Sequence, residues 1–350
     1  MVKRKMVSVI LIVTLVVALF VFGGCDSGDV NEPTRYTPPP LPEFTHIDVE
    51  TLELVAKREE SASGLEIRLF GGIEEAGHLE RLEYKIIYTL CDLNKVRYNM
   101  TSNFLVANRL CLGLDNESTE RKPFEMIAGV SNTAVFSHFF FTGIFNGNNH
   151  LISDIYLVRS MRQSVARCGS VALFYGIAQL GIVRNLVLDI EVYNFVSTTG
   201  NTFNNASAFG VVVRNSGKIE NVVVKGLILG SDLVAGIARE STGIITNVRN
   251  YALVKARHNY TSRAFAAGIA ASNLGLVEYA LNIGTVLGYR AFGIVGLNKN
   301  ENGYAIIRNS VNYGDIYAVW AQQISGSFAG GVWEDNLQRG RLRRISDFVG

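Results

Sequence analysis

The chain has 350 residues, of which 48% are hydrophobic, 18% are charged and 34 are glycine. Sparse charge beside so much apolar content excludes a disordered chain and argues against long surface helices. Setting aside Lys3, Arg4 and Lys5 leaves 30 basic residues against 31 acidic ones. That balance excludes an electrostatic nucleic-acid binder and a polybasic protein of the membrane surface.

Residues 1–24 read as an export signal. A basic start, Met1-Val2-Lys3-Arg4-Lys5, precedes an apolar run from Met6 to Phe22, so the basic end stays in the cytoplasm while the run enters the bilayer. The segment closes Phe22-Gly23-Gly24-Cys25, small residues before a cysteine, and thereby resembles a bacterial lipoprotein signal. Phe22 stands where such signals usually carry Leu. The resemblance implies that Cys25 is lipidated and becomes the mature N-terminus, tethering an exported body to the membrane of the bacterial cell envelope. An uncleaved anchor helix is the alternative, because the apolar run is at the short end of a membrane span. Several acyl chains together make a stable anchor where one alone is marginal.

Residues 25–43 follow as a spacer. They hold Pro33, Pro38, Pro39, Pro40 and Pro42 and almost no apolar side chain, a composition that favours stiff, polyproline-like chain. The sixth and last proline is Pro123, and the long remainder without proline suits a continuously hydrogen-bonded β structure.

Residues 44–123 are less regular and form either an N-terminal cap or a small β domain. Leu65–Phe70, Tyr84–Leu90 and Arg109–Leu114 are expected as strands, and Gly77–Leu82 as the start of a short helix. Of the cysteines other than Cys25, Cys91 and Cys111 lie in apolar segments and are the expected pair if one disulfide forms with Cys168 left over; buried free thiols are the alternative.

From about residue 141 the sequence repeats itself. Gly210-Val-Val-Val-Arg-Asn-Ser-Gly217-Lys-Ile-Glu-Asn221 matches Gly236-Ile-Ala-Arg-Glu-Ser-Thr-Gly243-Ile-Ile-Thr-Asn247 and Gly268-Ile-Ala-Ala-Ser-Asn-Leu-Gly275-Leu-Val-Glu-Tyr279. Phe174–Asn185 is an earlier copy and Gly293–Asn309 a later one with an insertion. The pattern runs on, with Val224-Lys-Gly226 aligned to Asn250-Tyr-Ala252, Asn282-Ile-Gly284 and Asn312-Tyr-Gly314. Alternation of period two marks strands, and variable spacing between copies points to loops of different size at one corner. A single copy cannot bury its own apolar face, whereas stacked copies share a continuous core. The expected fold is all-β: a β-solenoid, in the form of a right-handed parallel β-helix of about six coils over residues 124–350. Asn185, Asn221, Asn247 and Asn309 recur at one offset and predict an internal amide ladder, with a gap or bulge where Tyr279 breaks it. Asn250, Asn282 and Asn312 predict a second, shorter column.

These motifs resemble the bacterial GLUG repeat. Phe141-Thr-Gly-Ile-Phe-Asn-Gly-Asn-Asn-His150 resembles the segment that opens such arrays, with Asn146 in place of the usual Asp. The resemblance implies an exported, adhesin-like protein, or a non-catalytic part of a larger secreted one.

Catalytic patterns are absent from the sequence. The histidines His46, His78, His138, His150 and His258 show no zinc-binding spacing, no Gly-x-Ser-x-Gly elbow occurs, and no cofactor or metal is expected. A carbohydrate-active β-helix enzyme, lyase or hydrolase, would need carboxylates gathered on adjacent copies, but Glu220 and Glu278 are separated by Thr246. The function expected is therefore non-catalytic: an envelope lipoprotein whose repeat surface binds an extracytoplasmic protein or glycan. Tyr251 and Tyr313, at one repeat offset, are the candidate contact aromatics. A purely structural envelope protein is the other alternative. The basic residues Arg339, Arg341, Arg343 and Arg344 read as a solvated terminal face. Mass spectrometry of the N-terminal peptide from membrane fractions should find Cys25 acylated and residues 1–24 missing; an intact Met1 refutes the lipoprotein expectation.

Overall fold

The structure, a computed structural model, describes residues 59–61, 64–66, 68–75, 78–113, 123–127, 140–158, 169–194, 206–256, 265–299, 305–321, 325–326, 332–334, 336–339 and 341–344. The export signal, the spacer, Cys25 and Cys168 lie outside the described residues. What is described is mostly strand, with little helix, arranged in large parallel sheets, consistent with an all-β chain.

One sheet has seven strands, each paired in parallel with the next: Phe140–Phe141, Phe174–Ile177, Val212–Asn215, Ala238–Ser241, Ala270–Asn273, Val295–Asn298 and Ser325–Gly326. These are one strand from each consecutive copy of the repeat. The other strands of each copy pair in the same way. Lys218 lies opposite Ile244, Ile244 opposite Leu276, and Leu276 opposite Ile306. Further along, Val224, Asn250, Asn282 and Asn312 are register partners in turn. For the copies beginning at Gly210, Gly236, Gly268 and Gly293 the sequence alignment and the hydrogen-bond register therefore coincide, while in the earliest copy Phe174 lies opposite Val212 rather than Gly210.

Alternation along each strand decides what is buried. Ile219, Val222, Val224 and Ile228 have no exposed surface, nor do their partners Ile245, Val248 and Val254, and all join one continuous apolar cluster. Parallel strands that bury residues on both sides read as near-continuous apolar runs, and two strand rows here do so. Ala208, Val212 and Ala270 join the main cluster, while their sequence neighbours Phe209, Val213 and Ala271 join a second one with Tyr175, Phe265 and Phe292. Between those two rows the backbones approach closely. A Cβ on Gly236 would lie 2.1 Å from the Gly268 carbonyl oxygen, and one on Gly268 would lie 2.0 Å from that of Gly293. Only glycine fits there.

Three interior asparagines form a hydrogen-bonded column. The Asn250 side-chain N–H donates to Asn282 Oδ1 at 2.8 Å, and that of Asn282 to Asn312 Oδ1 at 2.6 Å. All three have 0% exposure. Each amide also holds its own turn: Ala252 N–H donates to Asn250 Oδ1 at 3.1 Å, while Asn282 and Asn312 donate to the Gly284 and Gly314 carbonyls at 2.9 and 2.7 Å. Burial without partners would be costly for an amide, so the column is what admits polar residues to the core.

Upstream of the repeats, Arg68–Glu75 and His78–Ile87 form an antiparallel hairpin. The short helix expected at Gly77–Leu82 is thus corrected to strand. Leu82, Tyr84 and Ile86 recur at every second residue, and cross-strand pairing overrides the local helical signal. Helix appears instead at Leu90–Lys95, where the sequence reading had a strand running to Leu90. Thr89 and Asp92 form a reciprocal capping box there. Asp92 is pulled upward in pKa by partial burial, yet its bonds to the Thr89 hydroxyl, Lys95 and the Tyr88 N–H hold it below the usual carboxylate range. Residues Tyr84–Ile87 pair in parallel with Asn103–Val106, which pair in parallel with Ile144–Asn146 at the first repeat strand. The same ladder thus continues across residue 123.

Of the two alternatives left open for Cys91 and Cys111, the free thiols hold, but both are exposed rather than buried. Cys91 belongs to the short helix, while Cys111 lies on an edge where its thiol donates to Asp154 Oδ2 at 3.0 Å.

Replacing Asn282 with Ala strands the Asn250 donor and the Asn312 acceptor together. The substitution should cost about 3 kcal/mol, read as a lowered urea midpoint, whereas Tyr251→Phe should leave the midpoint in place.

Candidate functional site

The candidate site is the outward face of the strand that follows a bend in each copy. Along Val183–Leu186, two residues rather than one separate the interior side chains, and the same holds for Ile219–Val222, Ile245–Val248, Val277–Ala280 and Ile307–Ser310. The extra residue turns the strand. It is Asn185, Asn221, Asn247, Tyr279 or Asn309, with φ of 50, 53, 48, 49 and 49°. Asparagine enters this left-handed region more readily than most residues.

The amides of this column touch. Asn185 donates to Asn146 Oδ1 at 3.2 Å, Asn221 to Asn185 Oδ1 at 3.1 Å, and Asn247 to Asn221 Oδ1 at 2.7 Å. They are half-buried rather than internal, which corrects the expectation: the interior positions flanking each bend belong to Val, Leu, Ile, Ala or Ser. At Tyr279 the strand breaks, stopping at Glu278 and resuming at Leu281, so the expected gap is present while a bulge is not. Thr246 pairs with Glu278 and Arg249 with Leu281, so the register passes the tyrosine unshifted. Tyr279 instead takes the left-handed backbone itself and is 52% exposed.

Past the bend, side chains alternate outward. Backbone bonds from Tyr251 N–H to the Val224 carbonyl, Ile283 to Asn250, Tyr313 to Asn282 and Arg339 to Asn312 set a single row. That row reads Lys225, Tyr251, Ile283, Tyr313, Arg339. Tyr251 is 40% exposed and Ile283 38%. The two tyrosines are not neighbours, as Ile283 lies between them, so they stand two strand spacings apart, roughly 10 Å. Lys225 and Arg339, which bracket them, carried no signal in the sequence: Arg339 looked like part of a solvated terminal cluster. Only the register reveals the row.

Before the bend a different row forms: Arg184, Glu220, Thr246, Glu278 and Arg308 are successive register partners. Glu220 is ion-paired with Lys218 and lies 3.9 Å from Arg184. Glu278 accepts from Arg308 at 2.7 Å and from the Thr246 hydroxyl at 3.2 Å. Both carboxylates are thus committed to partners, Glu278 within the row and Glu220 chiefly to Lys218, two residues before it on the same strand. His150 closes the Asn146–His150 turn, its N–H donating to the Gly147 carbonyl at 2.9 Å, with Asn148 and Asn149 at φ of 50 and 60°. Among the described residues no three His, Cys, Asp or Glu side chains converge as a metal ion would require.

A third set of buried amides was missed in the sequence: Asn215, Asn273 and Asn298 in the seven-stranded sheet. Asn273 donates to Asn298 Oδ1 at 2.8 Å, and the Gly217 and Gly275 N–H groups donate to Asn215 and Asn273 at 3.2 and 3.1 Å. The available signal was the spacing Asn-x-Gly at Asn215 and Asn273, the same spacing that marks Asn282 and Asn312.

No family model matches the chain, and no curated protein matches it. Among solved structures, a Bacteroides ovatus protein described as a candidate immunoglobulin A1 protease is similar, with a TM-score of 0.52. It is 16% identical, over 78% of this chain and 89% of that one. The likeness is one of fold.

Tyr279 is the one bulky residue at the bend, and its left-handed backbone costs about 1 kcal/mol relative to Asn. Tyr279→Asn should therefore raise the thermal midpoint, while Asn221→Val, which puts a β-branched residue in the same conformation, should lower stability by about 2 kcal/mol.

Proposed function

We propose that this chain is a cell-envelope lipoprotein whose repeats form a right-handed parallel β-helix of about six coils, serving as a non-catalytic display surface. Parallel pairing of equivalent residues in every copy supports the helical winding, and seven equivalent strands in one sheet agree with six turns between them. The lipoprotein-like signal and the proline-rich spacer support a tethered body held away from its membrane.

The observation that carries the functional reading is the row containing Tyr251, Ile283 and Tyr313. Large apolar side chains stay half-exposed there although the same strands bury their alternate residues fully. Exposed aromatics on a rigid, regularly spaced frame suit binding of an extracytoplasmic glycan or protein, because rings offer contact area at small entropic cost. Pairing of Glu220 and Glu278 with cations supports binding over catalysis, since hydrolysis of a glycan chain needs carboxylates available to the sugar.

Full-length chain, solubilised from membrane fractions, should bind in a saturable way on an array of glycans and matrix proteins, without shortening the bound polysaccharide. Tyr251→Ala with Tyr313→Ala should weaken that binding about tenfold, near the stacking energy of one or two rings. Chain cleavage would favour a carbohydrate-active enzyme, and silence on every probe a purely structural protein.

A further inference from the structure

We infer that the ligand of this face is an anionic polysaccharide, held along the row from Lys225 to Arg339; the inference rests on the reading that the face binds at all. The first observation is charge. Lys225 and Arg339 are exposed and close the aromatic row at its two ends, and Arg249 stands beside Tyr251 on the same outward side of its strand. None of the three has an ion-pair partner among the described residues, whereas Arg184 and Arg308 on the neighbouring row, and Lys218 two residues before Glu220, are all engaged by Glu220 or Glu278. Arg249 is half-buried between Val223 and Leu281, its register partners. A guanidinium with apolar flanks has only the solvent side from which to be neutralised.

Two carboxylates are near. Asp189 is the register partner of Lys225, with no ion pair between them, and Asp315 Oδ1 accepts from the Arg341 backbone N–H at 3.0 Å. The centre of the row, between Tyr251 and Arg339, holds no acid.

The second observation is spacing. A pyranose ring has apolar C–H faces and a polar rim, so it stacks on an aromatic side chain while its substituents reach sideways. Tyrosines two strand spacings apart, roughly 10 Å, match the length of a disaccharide in an extended chain. Sugars at alternate positions would rest on Tyr251 and Tyr313 with the intervening one over Ile283, and carboxylates or sulfates on their rims would face the cations.

The third observation narrows the class of polymer. The N–H groups of Tyr251, Ile283, Tyr313 and Arg339 are all consumed within the ladder, so a peptide cannot add as a further strand on this face. Nucleic acid could also stack and pair, but a chain with near-equal acid and base counts lacks the broad positive field that such binding depends on.

The test is equilibrium binding of the full-length chain to hyaluronan and to polygalacturonate, with a neutral chitin oligosaccharide, oligo-dT and poly-Glu as comparators. Binding to one or both acidic polysaccharides is expected, weakening as salt rises. Arg249→Gln with Arg339→Gln should reduce it at least tenfold, with the circular dichroism spectrum and urea midpoint unchanged, while Lys218→Gln, which removes the cation paired with Glu220, should leave it intact. Equal affinity for the neutral oligosaccharide, full displacement by oligo-dT or poly-Glu, or an unaffected double variant overturns the inference. So does failure to bind either acidic polysaccharide; if a neutral glycan or a matrix protein still binds through the tyrosines, the display reading stands without it.

Discussion

Parallel pairing without offset sets a condition that every position in the repeats must meet. Each side chain has, one strand spacing away at roughly 4.8 Å, the equivalent side chain of the next copy. A residue type can therefore recur at a position only if it can sit beside itself. Asparagine can, because its amide both donates and accepts, and Asn250, Asn282 and Asn312 exploit that in the core. Apolar residues can as well. Like charges cannot, and the row Arg184, Glu220, Thr246, Glu278, Arg308 alternates sign or inserts a hydroxyl between its acids.

The same condition explains why the aromatic row differs from its neighbours. Around Tyr251 and Tyr313 the row mixes ring, aliphatic and cationic side chains in a sequence that no self-pairing rule demands. Stability alone would be served by another column of Asn, Thr or Val. The row also stays half-exposed while the opposite side of the same strands is sealed. Packing thus accounts for the inner half of each strand and leaves the outer half open to a different selective pressure.

Most of the fold was legible because period-two alternation and recurring Gly and Asn report directly on strand faces and turns. The register of Val224, Asn250, Asn282 and Asn312 is already present in the alignment of the copies. The bend residues were found as a column but misplaced inside, since spacing in sequence does not distinguish an interior position from an extra residue at a corner. Backbone angle does, and φ near +50° at Asn221 and Tyr279 alike shows why a tyrosine could substitute without shifting register. In the upstream region there is no repeat to align, and the strand at residues 78–87 is defined by its hairpin with residues 68–75 and its pairing with Asn103–Val106 rather than by a recurring motif. The site was legible by halves. Tyr251 and Tyr313 shared an offset on paper, whereas Lys225 and Arg339 joined them only through pairing between copies.

Where copies differ in length, they differ at few points. Two residues, Ser231 and Asp232, connect Lys218–Gly230 to Leu233–Ala235, while in the copies before and after a longer stretch of sequence separates the equivalent strands, Ile182–Asn194 from Ser207–Phe209 and Leu253–Ala256 from Phe265–Ala267. The strands on either side keep their pairing regardless. Lengthening a connection there costs only slowly growing closure entropy, even though the short one is itself anchored, Ser231 and Asp232 N–H both donating to the Ala206 carbonyl at 2.8 and 3.1 Å. That corner is consequently an insertion port: descendants of this sequence can acquire or discard whole segments there, one copy at a time, while the scaffold that spaces the outward face stays the same.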